Sequence, residues 1–177
     1  MKIVLDMQNY NENLEEIRRE AVRAIIVSEG KLLMIEDSNG NVKFPGGGKE
    51  NNETDIQTLF RETMEETGFT VNIDSVCMCL EIEEKRLSSR EMMIWHQYNR
   101  YYVCNVQGPQ GNCTYSENEK RNGYHQIWCD LDAALLRMND HATDSLHINH
   151  LDREYIALLF LKNHIFIDAT LKVDTEW

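Results

Sequence analysis

Four glutamates, one arginine and two glycines share a fixed spacing between Gly47 and Phe69. Gly47 is followed by five residues and Glu53, then by seven residues and Arg61-Glu62, then by Glu65-Glu66 and Gly68. On a helix, residues three and four apart share a face, so Glu62 meets both Glu65 and Glu66. Carboxylates packed that closely repel unless something positive neutralises them. A hard divalent cation does this most simply, because it takes oxygen ligands and cancels the charge. Gly46-Gly47-Gly48 lies just upstream and lets the backbone approach a metal or ligand with no side chain between. A solvated acidic helix face is the commoner meaning of such acids, but it requires neither the glycines nor Arg61.

The elements that must hold these residues have clear signals. Thr54 and Gln57 form a capping-box pattern, and Gly68 stands where a left-handed C-terminal cap is wanted. Ile56, Leu59, Phe60 and Thr63 form one stripe at helical spacing. The acids therefore fall on the opposite, exposed face. Two extended runs, 19–27 and 31–35, are joined by Ser28-Glu29-Gly30 as a hairpin. Alternation over 76–83 and β-rich residues over 92–106 predict two longer strands. A polar loop covers 107–123, a short strand 124–129, and helices 130–138 and 151–162. Residues 1–16 read as an N-terminal arm, a flexible lead-in or dimer contact, ahead of one domain over 17–177. The order of elements gives an α+β or mixed α/β class.

The spacing in 47–69 resembles the Nudix box, G-x5-E-x7-R-E-U-x-E-E-x-G-U with U bulky and apolar. All seven fixed positions match, a coincidence on the order of 10⁻⁶ at ordinary residue frequencies. Phe69 fits the last U, whereas Thr63 stands at the first. The resemblance implies an α/β/α sandwich with a mixed sheet between helices. It also implies a metal-dependent hydrolase of a diphosphate bond in a nucleoside diphosphate linked to another group. Gly46, through its carbonyl, and Glu62, Glu65 and Glu66 match the family's metal ligands, with Mg²⁺ or Mn²⁺ as the ion. Glu53, Glu66 and a loop acid are the candidate catalytic acids. In the loop Glu117 and Glu119 are available, and Glu119 ranks ahead. Arg61, which in that family orients the box acids, is counted with Tyr98 at the substrate. Tyr98 is chosen among Trp95, Tyr98, Tyr101 and Tyr102 as an aromatic able to stack on a base. Family marks of particular substrates, a Pro near Glu84 or a Tyr near residues 85–87, are absent, so the substrate stays unnamed.

Composition narrows the alternatives. The 177 residues carry a net charge of −12, which disfavours nucleic acid and anionic membrane as partners; the Nudix resemblance implies a small nucleotide-type molecule instead. The Nudix resemblance adds a homodimer as an option. Five cysteines without framework spacing read as reduced thiols. Neither a signal peptide nor a spanning run is found, so a cytoplasmic location is expected. His141, His147 and His150 lack a matching acid or thiol and read as connector residues rather than ligands. A Nudix-like nucleotide sensor without turnover is the alternative, and the intact acid set counts against it. A Nudix-fold isomerase would need a catalytic Cys77 or Cys104, both in expected strands.

Overall fold

Strand-forming residues dominate much of the chain, and the computed structural model describes residues 1–88, 92–139 and 150–164. In chain order the strands are β1 (Lys2–Asp6), β2 (Glu16–Ile25), β3 (Val27–Ser28), β4 (Lys31–Glu36), β5 (Val42–Lys43) and β6 (Gly46–Gly48). They continue with β7 (Thr70–Val71), β8 (Cys77–Leu87), β9 (Ile94–Val103), β10 (Val106–Gln107) and β11 (His125–Cys129). The helices are α1 (Asp55–Thr67), α2 (Glu117–Arg121), α3 (Leu131–Asn139) and α4 (His150–His164).

The main sheet runs β1-β8-β9-β2-β6. β1 lies parallel to β8 and β9 parallel to β2, while β8–β9 and β2–β6 are antiparallel. A second sheet, β11-β4-β3, carries β5 along β4. Successive side chains on a strand point to opposite faces, and β9 divides its residues accordingly. Tyr101 and Val103 enter a core with Leu80, Ile82 and the α4 residues Leu158 and Leu161. Tyr102 packs on the other side, where Val22 and Ala24 of β2, with Ile26 just beyond it, meet Leu59 of α1. Helices therefore cover both faces of the sheet, as the α/β/α expectation requires. The α1 stripe is also as expected, with Leu59 and Thr63 buried and Ile56 and Phe60 half-buried. Thr63 Oγ1 is buried there with no hydrogen-bond partner.

Two expectations differ from the structure. Residues 1–16 do not form a free arm: Lys2 to Asp6 pair with Glu81 to Lys85, and the Met1 ammonium donates to the Cys79 carbonyl at 2.9 Å. Three apolar residues, Ile3 to Leu5, between Lys2 and Asp6 are too short a signal to stand out beside a polar flank. The 107–123 loop is not structureless either, since it contains α2. Ser116 and Glu119 cap that helix reciprocally, a pattern present in the sequence. The five cysteines are free thiols. His141 and His147 lie outside the described residues, as does the side chain of His150.

Candidate active site

Helix α1 is fixed at both ends. Thr54 Oγ1 accepts from the Gln57 N–H at 3.3 Å, and the Thr54 N–H donates to Gln57 Oε1 at 2.8 Å. Gly68 ends the helix at φ 70. A Cβ there would lie 2.2 Å from the Gly111 carbonyl oxygen, so backbone conformation and close packing both demand glycine.

With α1 held, Arg61 becomes the hub of the acids. Its Nε donates to Glu53 Oε1 at 2.7 Å, and Nη2 donates to Glu53 Oε2 at 2.9 Å and to the Gly48 carbonyl at 3.1 Å. Its Nη1 donates to Glu62 Oε1 at 2.7 Å and Glu65 Oε2 at 3.3 Å. A guanidinium has five N–H donors, and these contacts use them all. The expectation that Arg61 touches substrate is thereby corrected, because no donor is left over. Glu53 also accepts from Thr58 Oγ1 at 2.8 Å and the Glu50 N–H at 2.9 Å. Arg61 first, then these donors, hold its carboxyl down at about 2.

The three acids on α1 do not share one environment. Glu65 is the most open, with its side chain 44% exposed. Glu66 is 1% exposed, which corrects the expectation of an acid on an open face. Its carboxylate turns toward the sheet, accepting the Gly46 N–H at 2.7 Å and pairing with Lys43 Nζ at 2.7 Å. Helical periodicity placed Glu66 opposite the apolar stripe, but the β5–β6 edge folds over it. Glu62 also turns inward, against Gly47, where a Cβ would sit 2.3 Å from Glu62 Oε1. Burial pushes the Glu62 carboxyl up; Arg61 opposes this, and the Glu66 charge adds to it. Gly46 has φ 137, and a Cβ would strike the Val22 carbonyl oxygen. Its own carbonyl accepts from Arg23 Nη1.

The long loop is bound to the last turn of α1. The Thr114 N–H donates to the Glu65 carbonyl at 2.6 Å, and the Tyr115 hydroxyl to the Glu66 carbonyl at 2.8 Å. Gln110 Nε2 and the Gly111 N–H serve the Thr67 and Gly68 carbonyls. These donors satisfy carbonyls that a helix end leaves open, and they bring α2 to the acidic end of α1. Burial pushes the Tyr115 hydroxyl up, with Cys113, Glu66 and Glu119 adding in the same direction. Glu119 itself is half-buried, and its Oε2 accepts the Ser116 N–H at 2.7 Å. Glu117 is exposed and pairs with Lys120.

Tyr98 is not brought to this site. Its ring lies 4.7 Å from that of His96, with the Lys2 ammonium 5.8 Å from its centroid. Strand alternation puts Trp95 and Gln97 on the opposite face, where they line a cleft of about 180 Å³ with Arg19, Arg23, Arg86 and Arg153. Gly48 forms its edge. Sequence reasoning missed the four arginines, because they come from β2, β8 and α4 and share no local spacing. Lys43 and Tyr115 were missed for the same reason.

The donor set fits a hard cation. Among the described residues no group of three or more His, Cys, Asp or Glu is already gathered for a metal; Arg61 and Lys43 engage the acids instead. Mg²⁺ needs no such trio, since it binds through one or two carboxylates with waters and substrate phosphates. The inward Glu62 and Glu66 are hard oxygen donors, and the Gly46 carbonyl has a second lone pair beyond the one Arg23 uses. The bare Gly47 Cα leaves room beside Glu62.

A family model described as NUDIX domain matches residues 17–149. The chain belongs to the NUDIX family. It is a diphosphate hydrolase of the Nudix type, from a family that acts on small nucleotide-type substrates and generally uses divalent metal ions. Its fold is similar to a MutT NUDIX hydrolase from Burkholderia pseudomallei, at 19% identity and TM-score 0.53, covering 81% of this chain and 97% of that one. It is also similar to a NUDIX hydrolase from Nitrosomonas europaea, at 17% identity and TM-score 0.51, covering 82% and 90%. No curated protein matches the sequence. Among the described residues no helix is long and apolar enough to cross a membrane.

Proposed function

We propose that this NUDIX enzyme hydrolyses the diphosphate linkage of a nucleoside diphosphate joined to another group. Mg²⁺ or Mn²⁺ would be held by Glu62, Glu65, Glu66 and the Gly46 carbonyl. The observation that carries this reading is the pair of inward carboxylates, Glu62 and Glu66, set against a strand edge with no side chains. When bound, the ion supplies neutralising charge for the phosphates and lowers the pKa of water.

The chain's own groups do the positioning. Arg61 holds Glu53, Glu62 and Glu65 in one constellation. Glu53, held at about 2 and accepting four hydrogen bonds, is a weak base and serves to orient Arg61. Glu119 is the acid we assign to take the proton of the attacking water, because its helix is carried to the acid cluster by the docked loop. The net charge of −12 supports a small substrate over nucleic acid.

The test is release of nucleoside mono- or diphosphate from nucleoside triphosphates, nucleotide sugars, ADP-ribose and dinucleoside polyphosphates, with Mg²⁺ or Mn²⁺ and with EDTA. Metal-dependent release that EDTA abolishes is expected for at least one class. Release that persists in EDTA, or none with either ion, overturns the proposal.

A further inference from the structure

The cleft on the far side of the glycine strand concentrates positive charge in a strongly acidic chain. Four guanidinium groups, Arg19, Arg23, Arg86 and Arg153, face a single lining carboxylate, Glu84. Glu84 is already shared, with Arg86 Nε at 2.6 Å and Arg153 Nη1 at 3.4 Å. Arg153 is buried and leans also on Glu154, at 2.9 Å. Arg23 is 8% exposed, yet its Nε has no hydrogen-bond partner, the nearest acid oxygen being that of Glu154 at 4.0 Å. Among the described residues Arg19 makes no ion pair, and its guanidinium lies over the Trp95 ring at 5.1 Å. A buried arginine with an unused donor is costly in a protein interior, and an anion supplies the missing acceptor.

We infer that this cleft binds a phosphoryl group that the substrate carries beyond the diphosphate being cleaved. The inference rests on the hydrolase reading above and narrows its substrate to phosphate-rich molecules. Size argues for phosphate over a nucleoside: about 180 Å³ falls below the ~300 Å³ at which pockets for larger ligands begin. The one aromatic ring in the lining is also taken, since Arg86 approaches Trp95 at 5.7 Å as well as Arg19, leaving little open face for a base. Planar guanidinium forks match phosphate oxygens two at a time. Position argues the same way. Arg23 donates to the Gly46 carbonyl while the Gly46 N–H donates to Glu66, so one residue separates cleft from acids. A molecule with its scissile linkage at the acids can place its next phosphate among the arginines.

The test pairs binding with turnover. Calorimetry with inorganic tripolyphosphate in EDTA reads the cleft without the metal or the reaction. Arg19→Gln is the first variant because Arg19 is exposed and free of ion pairs, and Arg86→Gln is the second. Lys162→Gln removes the same charge from an exposed pair with Asp132 and serves as the charge control. Tripolyphosphate affinity should fall about tenfold in each arginine variant, as for a lost charge-assisted hydrogen bond, and stay unchanged in the control. For turnover, kcat/KM on a nucleoside triphosphate should fall about tenfold more than on a nucleotide sugar with an uncharged end. Equal losses on both substrates, or the same affinity loss in Lys162→Gln, would overturn the inference. Should no substrate turn over, the hydrolase reading fails, and tripolyphosphate binding that ignores Arg19 and Arg86 would sink the phosphate subsite separately.

Discussion

Gly47 and Gly48 are neighbours on β6, yet they face opposite chemistry. A Cβ on Gly47 would meet the Glu62 carboxylate at 2.3 Å, and one on Gly48 would meet the Arg19 guanidinium at 2.6 Å. Adjacent strand residues point to opposite faces, so a strand without side chains acts as a thin wall between carboxylates and guanidiniums. The two sides are also built differently. The acid side comes from one helix and its hub arginine, with all five Arg61 donors used. The basic side is gathered from distant segments and keeps an unused donor on Arg23. A satisfied site arranges groups for chemistry, and an unsatisfied one waits for a ligand.

The largest expected effect breaks the acid side alone. Glu65→Gln should lower turnover on the order of 10²–10³-fold with an unchanged melting temperature, because the Glu65 side chain is partly open to solvent and an amide keeps its shape. Glu66→Gln should lose turnover and also about 1–3 kcal/mol of stability, since Lys43 is left without its partner. Nucleotide product release and thermal melts together separate the two variants.

The glycine wall gives the next largest difference. Gly47→Ala should cost about 10²-fold in kcat by displacing Glu62, as misplacement near 1 Å commonly does. Gly48→Ala meets only the tip of a flexible arginine, so kcat should hold while KM for a triphosphate rises about threefold. Steady-state kinetics on both variants would erase the comparison if the two behaved alike.

Smaller effects lie in the support beneath. Thr63→Val should raise stability by about 1 kcal/mol, because the buried Oγ1 has no partner and an isosteric methyl needs none. Chemical denaturation measures it directly, and a loss of stability would mean that the hydroxyl is satisfied in solution. The smallest effect is remote from both sides. Glu16, at the start of β2, is pushed from 4.5 down to about 2, by His96 first and then Arg18. A depressed carboxyl contributes stability above its unfolded pKa and loses it as pH falls through the folded one. Melting temperature should therefore drop between about pH 4.5 and 2, and Glu16→Gln should flatten that part of the profile.

Much of the acid side was legible because its information is local. The capping box of Thr54 and Gln57, the left-handed Gly68, the Leu59 and Thr63 stripe and the Arg61-centred spacing all lie within one helix and its flanks. The limits of local reading appear at Glu66, which helical periodicity assigns to the open face and the β5–β6 edge buries. Tyr98 illustrates the same limit on a strand. Aromatic content nominates it, but which face of β9 looks into the cleft depends on what packs on each side, and that choice favours Trp95.

By itself the sequence determined the family, the class of fold and the helix that carries the acids, because hydrogen bonding, capping and charge spacing act over a few residues. Tertiary structure alone decided which acids turn inward, what the long loop holds and where the positive charge gathers. Arg19 and Arg153 stand far apart in the chain and share no spacing rule. They meet because β2 and α4 pack around the same core, and contacts of that kind are set by the burial of apolar surface across the whole molecule.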